Sequence, residues 1–173
     1  AGTCSDISGA TSSTYALGND DSEKYIRVAV MNTDDYSTAE TVYSAISAKI
    51  TDVNDAPTVA SAIADVSTAE DAAYSLDASG TCTDVDASDT MSYTISGGPS
   101  TITATTAGVI SGTPVNADVG AHTITVTCTD GSSATATDSY VLTVTNTNDA
   151  PTVSSANADA STAEDAAYSL DAS

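Results

Sequence analysis

The chain has 173 residues, 40% of them apolar, with eight Tyr but no Phe and no Trp. That length holds one large or two small domains, and a core limited to Val, Ile, Leu, Ala and Tyr suits thin β-layers better than a bulky globule. Twenty-four acidic residues against three basic ones (Lys24, Arg27 and Lys49) give a net charge of −21, which excludes ordinary nucleic-acid backbone binding and disfavours an anionic membrane surface.

A chain so acidic repels itself unless cations screen it or bind at defined places. No stretch approaches the roughly 18 apolar residues of a membrane span, so membrane insertion is not expected. No N-terminal stretch reads as a secretory signal, so secretion would require one already removed or lying outside these residues. The three Cys fit no zinc spacing.

In chain order, YIRVAV (25–30) and ETVYSAISAKITDV (40–53) read as two strands, followed by the punctuation NDAP (54–57). Beyond it, period-two alternation marks several short strands. YSLDASGTC puts Tyr74, Leu76 and Cys82 on one face, and MSYTI puts Met91, Tyr93 and Ile95 inward. HTITVTC contributes Ile124, Val126 and Cys128, and SYVLTV contributes Tyr140, Leu142 and Val144. SGGPS (96–100), SGTP (111–114) and TDGSS (129–133) separate these runs as turns. No segment reads as a helix, and an all-β fold of antiparallel β-sandwiches is expected.

A repeat divides the chain. TDVNDAPTVASAIADVSTAEDAAYSLDAS (51–79) returns as TNTNDAPTVSSANADASTAEDAAYSLDAS (145–173), with STAEDAAYSLDAS identical at 67–79 and 161–173. An offset of 94 residues is one immunoglobulin-sized sandwich plus a linker. Residues 53–146 then form one complete module. Residues 1–52 read as the C-terminal half of another, because YIRVAV resembles HTITVTC and 40–53 resembles the last strand before the linker. Residues 147–173 supply the N-terminal strands of a further module. Placed end to beginning, LDAS followed by AGTCSD matches LDASGTCTD of the complete module. Two arrangements satisfy this: the last strands of one molecule complete the first half-module of the next, or the chain is one period of a longer tandem polypeptide. A fragment with unstructured ends is the plainer alternative.

TDVDASDTMSYTISGG (83–98) and TDVNDAP (51–57) resemble a strand-leading segment and the linker of cadherin repeats. GVISGTPVNADVGAHTITVTCTDGSSATATDSYVLTV (108–144) resembles the dystroglycan-type, cadherin-like and immunoglobulin-like repeats of microbial surface proteins. The resemblance implies tandem cadherin-like sandwiches with Ca²⁺ at the module junctions, where hard oxygen donors converge. At the first junction it implies Asp52, Asn54 and Asp55 from the linker with Asp84, Asp86 and Asp130. At the second it implies Asn146, Asn148, Asp149 and Glu70, joined by Asp6 (matching Asp84) and Asp34 or Asp35 (matching Asp130). Glu164, the copy of Glu70, would serve a first-type junction from a neighbouring molecule. Asn146 stands where the first linker has Asp52, so weaker binding is expected at the second junction. Linker Asx residues acting only as turn formers are the alternative.

As in immunoglobulin domains, Cys82 and Cys128 at inward parity are expected to form a disulfide, worth roughly 3–4 kcal/mol in the loop-entropy account and indicating an oxidising setting. Two buried thiols are the alternative. Cys4 matches Cys82 without a partner in its own half, so it is either buried and free or paired between chains. His122 begins a strand, and no nucleophile elbow, zincin motif or phosphate loop is present. A non-enzymatic extracellular protein is expected: a calcium-stiffened fibre of identical subunits or repeats. The alternative is the stalk or binding module of a microbial adhesin, directed to cell-surface or matrix ligands.

Overall fold

The computed structural model describes residues 4–86, 89–153, 161–167 and 169. Among the described residues there is no α-helix, only strands and two 3-10 turns, and hence no helix long and apolar enough to cross a membrane. Two strands, β1 (Ala29–Thr33) and β2 (Ala39–Tyr43), form a hairpin in the first 52 residues. Among the described residues, nine strands follow in the unit after the first linker: β3 (Thr58–Val59), β4 (Val66–Ala69), β5 (Tyr74–Asp77), β6 (Cys82–Thr83), β7 (Ser92–Gly97), β8 (Ile102–Ala104), β9 (Val109–Gly112), β10 (Gly120–Thr129) and β11 (Thr135–Thr145).

The larger layer runs β4-β11-β10-β7, and opposite it lie β5-β9-β8 and the short pair β3-β6. The long strands β10 and β11 carry the alternation expected of a half-covered sheet. Ile124, Val126, Cys128, Tyr140, Leu142 and Val144 are buried, while the residues between them are more exposed. Tyr93 joins these from β7 of the same layer, and Tyr74 and Cys82 close the core from the facing strands, with Met91, Ile95 and Leu76 packed at its margin. Ile102 and Ile110, on the short strands β8 and β9, are core residues that the alternation argument had not singled out. One pairing departs from the expected antiparallel plan: β4 runs parallel to the end of β11, Val66 opposite Leu142 through Ala69 opposite Thr145.

Cys82 and Cys128 are disulfide-bonded across the layers, with Cα atoms 6.5 Å apart, and Cys4 is free and exposed. Two polar groups in the core satisfy each other, since the Tyr74 and Tyr140 hydroxyls lie 3.0 Å apart. Burial, reinforced by that contact, holds the Tyr140 phenol protonated far above its ordinary range. Tyr140→Phe leaves the Tyr74 hydroxyl without a partner and is expected to cost about 1–3 kcal/mol in urea unfolding. Gly97 is required where it is, because it has φ +73° and a Cβ there would sit 2.4 Å from Thr123 O.

The first hairpin reproduces the β10–β11 turn atom for atom. Asp130 Oδ1 accepts the N–H groups of Ser132 and Ala134 at 2.9 and 2.7 Å, and Ser133 takes φ 73°. Asp34 Oδ1 accepts those of Tyr36 and Thr38 at 2.9 and 2.8 Å, and Ser37 takes φ 63°. Of Asp34 and Asp35, Asp34 is therefore the counterpart of Asp130. From that turn to the linker the first hairpin is two residues longer, and the surplus is absorbed next to two serines. Val28 and Ile26 donate their N–H groups to Ser44 Oγ and Ser47 Oγ, each at 2.9 Å, while the N–H groups of Ser44 and Ser47 bond to Val28 O and Ile26 O. These are bulges, two residues facing one, and beyond them Lys24 and Ile50 are in register again. The two hairpins differ in cover. Val28 and Val30 are each 59% exposed, whereas Ile124 and Val126, their counterparts counted from the turn, are each 0% exposed.

Candidate metal centre

The first linker is tied to the top of the unit that follows it. Asn54 Nδ2 donates to Asp130 Oδ2 (3.0 Å), and Asp55 N donates to Asp86 Oδ2 (2.8 Å). The Asp86 N–H in turn bonds to Asp84 Oδ1 (2.9 Å). Carboxylate oxygens of Asp84, Asp89 and Asp130 lie within 4.8 Å of one another. Asp84 Oδ2 and Asp89 Oδ2 are buried, with no hydrogen-bond partner among the described residues. Carboxylates this close repel unless a donor or cation stands between them. The Asp55 N–H pulls the Asp86 carboxyl down, but burial and the charges of Asp52, Asp84 and Asp55 outweigh it and leave the group above its ordinary value. Asp130 is held below its ordinary value, chiefly by Asn54 and then, against burial, by the N–H groups of its own turn. An all-oxygen, acid-rich donor set with two orphaned oxygens fits a hard cation of the Ca²⁺ type.

Asp52, Asn54, Asp55, Asp84, Asp86 and Asp130 are thus brought to one place, and Asp89 joins them. Asp89 was legible only as a third acid in D-V-D-A-S-D (84–89). His122 takes no part, since its Nε2–H donates to Asp118 O at 2.6 Å.

The second linker meets the base of the same unit. Glu70, 2% exposed, accepts Asn146 Nδ2 and Thr147 N at Oε1, each at 2.7 Å. Glu70 Oε2 is buried and has no partner among the described residues. Asn116, in the 3-10 turn Asn116–Asp118, donates Nδ2 to Asp149 Oδ2 at 2.7 Å. Asn148 Nδ2 folds back on Asp149 O, as Asn54 Nδ2 does on Asp55 O.

The first 52 residues end on the same construction. In the 3-10 turn Asn19–Asp21, Asn19 donates Nδ2 to Asp55 Oδ2 at 2.7 Å. Asp21 Oδ2 accepts Gly18 N and the Tyr15 hydroxyl, just as Asp118 Oδ2 accepts Val115 N and the Thr101 hydroxyl. Asn19 and Asn116 are site residues that sequence reasoning missed; the shared signal is N-x-D after a tight bend, GNDD against VNAD. Asp6, Asp34, Asp35 and Glu164 are exposed, and among the described residues no hydrogen bond ties them to either junction.

The bonds from Val115 N and Thr101 hold the Asp118 carboxyl below its ordinary value of 3.8, against burial. A depressed folded pKa means stability that is complete above pH 3.8 and is lost as pH falls through the lower folded value. Asp118→Asn is therefore expected to flatten the stability–pH curve below pH 3.8, read by thermal melts on the acid limb.

No curated protein matches the chain significantly. Among solved structures it is similar to a nucleoside hydrolase-related hypothetical protein from Saccharophagus degradans that is associated with carbohydrate metabolism. That match has 21% identity and a TM-score of 0.42, covering 53% of this chain and 26% of that one. It is also similar to endo-fucoidan hydrolase MfFcnA4 from glycoside hydrolase family 107, with 23% identity and a TM-score of 0.42, covering 75% of this chain and 20% of that one. The chain thus spans about a quarter or less of the length of these structures. Residues 56–145 match the family model He_PIG, described as "Putative Ig domain", and with just over half of its length inside that match the chain belongs to this immunoglobulin-like family.

Proposed function

We propose that the chain is an extracellular structural protein: cadherin-like sandwiches joined head to tail into a fibre, stiffened by Ca²⁺ at the junctions between units. The observation that carries this reading is the duplicated joint. Asn19 with Asp55 and Asn116 with Asp149 are the same contact, built 94 to 97 positions apart, at the ends of two different units. A chain that builds the base of a module twice, each time against an NDAP linker, is organised as a linear array. Identical subunits, or further repeats of the same polypeptide, are its partners. The acidity that excludes nucleic acid also favours cations wherever units meet.

In this account Asp84, Asp89 and Asp130, with Asp52, Asn54 and Asp55, hold the ion at the first junction. Glu70, Asn146, Asn148 and Asp149 hold one at the second, with Asp6 and Asp34 arriving from a completed neighbouring unit. The ion supplies charge neutralisation, and the protein's own part is to fix the angle between units. The disulfide suits an oxidising exterior, and the role is mechanical rather than catalytic.

Thermal melting with added CaCl₂ or with EDTA tests this. At about 100-fold excess over Kd, calcium is expected to raise the melting temperature by about 10 °C or more. Asp84→Asn/Asp89→Asn is expected to abolish the response and to be the more stable protein in EDTA, because the repulsion is gone. A wild-type melt indifferent to calcium would leave the linker acids as turn formers and favour an adhesin stalk or binding module.

A further inference from the structure

The fibre reading leaves the base of the first unit incomplete, and the residues there specify what completes it. At the second junction Glu70 is held by two donors, Asn146 Nδ2 and the Thr147 N–H. The repeat offset of 94 places Asp52 and Val53 at the corresponding positions of the first junction. Val53 N–H has no acceptor among the described residues. The chain carries one further copy of the Glu70 segment, and its turn is already formed: Asp165 takes φ 60° and the Ala166 N–H bonds to Ala163 O, while Asp71 in the first copy takes φ 58°. Glu164 itself is exposed. The hairpin face beside the first junction, which includes Val28 and Val30, is bare where its counterpart is covered.

Resting on the fibre reading, we propose that Glu164 of a second copy takes the Glu70 position at the first junction, and that Asp52 makes this joint between copies close only around a divalent cation. The asymmetry is chemical. Asn146 donates a hydrogen bond to Glu70, so the joint within the chain holds without an ion. Asp52 has no hydrogen to donate, and a second carboxylate placed against it meets like charge in a partly desolvated place. A cation shared by both turns that repulsion into ligation. The same substitution that makes the first junction the stronger ion site thus makes polymer growth conditional on the ion. The −21 charge on each copy opposes association in the same sense but acts at long range and is screened by any salt, whereas the shared site asks for a divalent ion.

The experiment is a sedimentation assay of the 173-residue chain across a free-calcium titration, at constant ionic strength, with EDTA at one end. Wild type is expected to pellet as polymer with calcium and to remain monomeric in EDTA. Asp52→Asn restores the donor that Asn146 provides, and is expected to lower the calcium needed for half-assembly about tenfold or to assemble in EDTA. Glu164→Ala is expected to stay monomeric at every calcium concentration while the unit 56–145 melts as in wild type. Wild-type polymer that forms equally well in EDTA removes the cation requirement, and an Asp52→Asn chain with an unchanged calcium requirement removes Asp52 as its cause; either overturns the proposal and leaves the fibre standing. Glu164→Ala polymerising like wild type means that another segment covers the first unit. Wild type monomeric under all conditions overturns the proposal and the fibre reading together.

Discussion

Loss of the Cys82–Cys128 bond, by reduction or as the double variant Cys82→Ala/Cys128→Ala, is expected to lower the unfolding free energy of the unit 56–145 by roughly 3–4 kcal/mol. The bond closes a separation of 46 residues and joins β6 to β10 across the core. Opening it gives the unfolded chain the freedom of that loop, and the core has little to offer in return. The apolar core contains Val, Leu, Ile, Ala, Cys and Tyr but no large aromatic without a hydroxyl. Domains of this size hold about 5–15 kcal/mol in all, so the loss is a large share. Urea unfolding with and without dithiothreitol measures it, and a change under about 1 kcal/mol would contradict the bond's structural role.

The second large effect separates two residues that occupy the same place in two hairpins. Ile124→Ala empties a site that is 0% exposed and is expected to cost about 2–5 kcal/mol. Val28→Ala, at the matching position of the first hairpin, alters a residue that is 59% exposed, and in the monomer its effect is expected within about 0.5 kcal/mol. Once the face is covered by a second copy, the same substitution removes buried contacts. Val28→Ala is then expected to weaken assembly while leaving the monomer's melt unchanged. A monomer destabilised as strongly by Val28→Ala as by Ile124→Ala would show that the first hairpin already has a core of its own.

Much of the fold was legible because alternation is a direct consequence of strand geometry. Tyr74, Tyr93, Ile124, Val126, Tyr140, Leu142 and Val144 fall inward as period two requires, and the inward Cys82 and Cys128 meet. Ile102 and Ile110 were less visible because β8 and β9 are three and four residues long, too short to establish a period against Thr, Ser and Gly neighbours. The parallel pairing of β4 with β11 joins residues 76 positions apart, and no local pattern encodes such a pairing. The junction acids were legible as a repeated linker, yet Asp89, Asn19 and Asn116 were not. An acid at the edge of a D-x-D pair and an Asn in a single 3-10 turn have no periodicity of their own, and only the folded chain shows that Asn19 and Asn116 make the same contact. The bulges at Ser44 and Ser47 appear in the sequence merely as two surplus residues. Their hydroxyls are what keep the ladder bonded there.

The central claim is the proposed array itself, in which residues 147–173 of a second copy complete the half-module of residues 1–52. Electron microscopy of the purified chain in calcium tests it most directly. A strand of 11 residues such as β11 spans about 35 Å. Two sandwiches with their linkers should therefore give unbranched fibres with an axial repeat on the order of 80–90 Å, each repeat showing two densities of equal size. Single particles carrying one compact density and a loose hairpin, at any protein concentration in calcium, would contradict it.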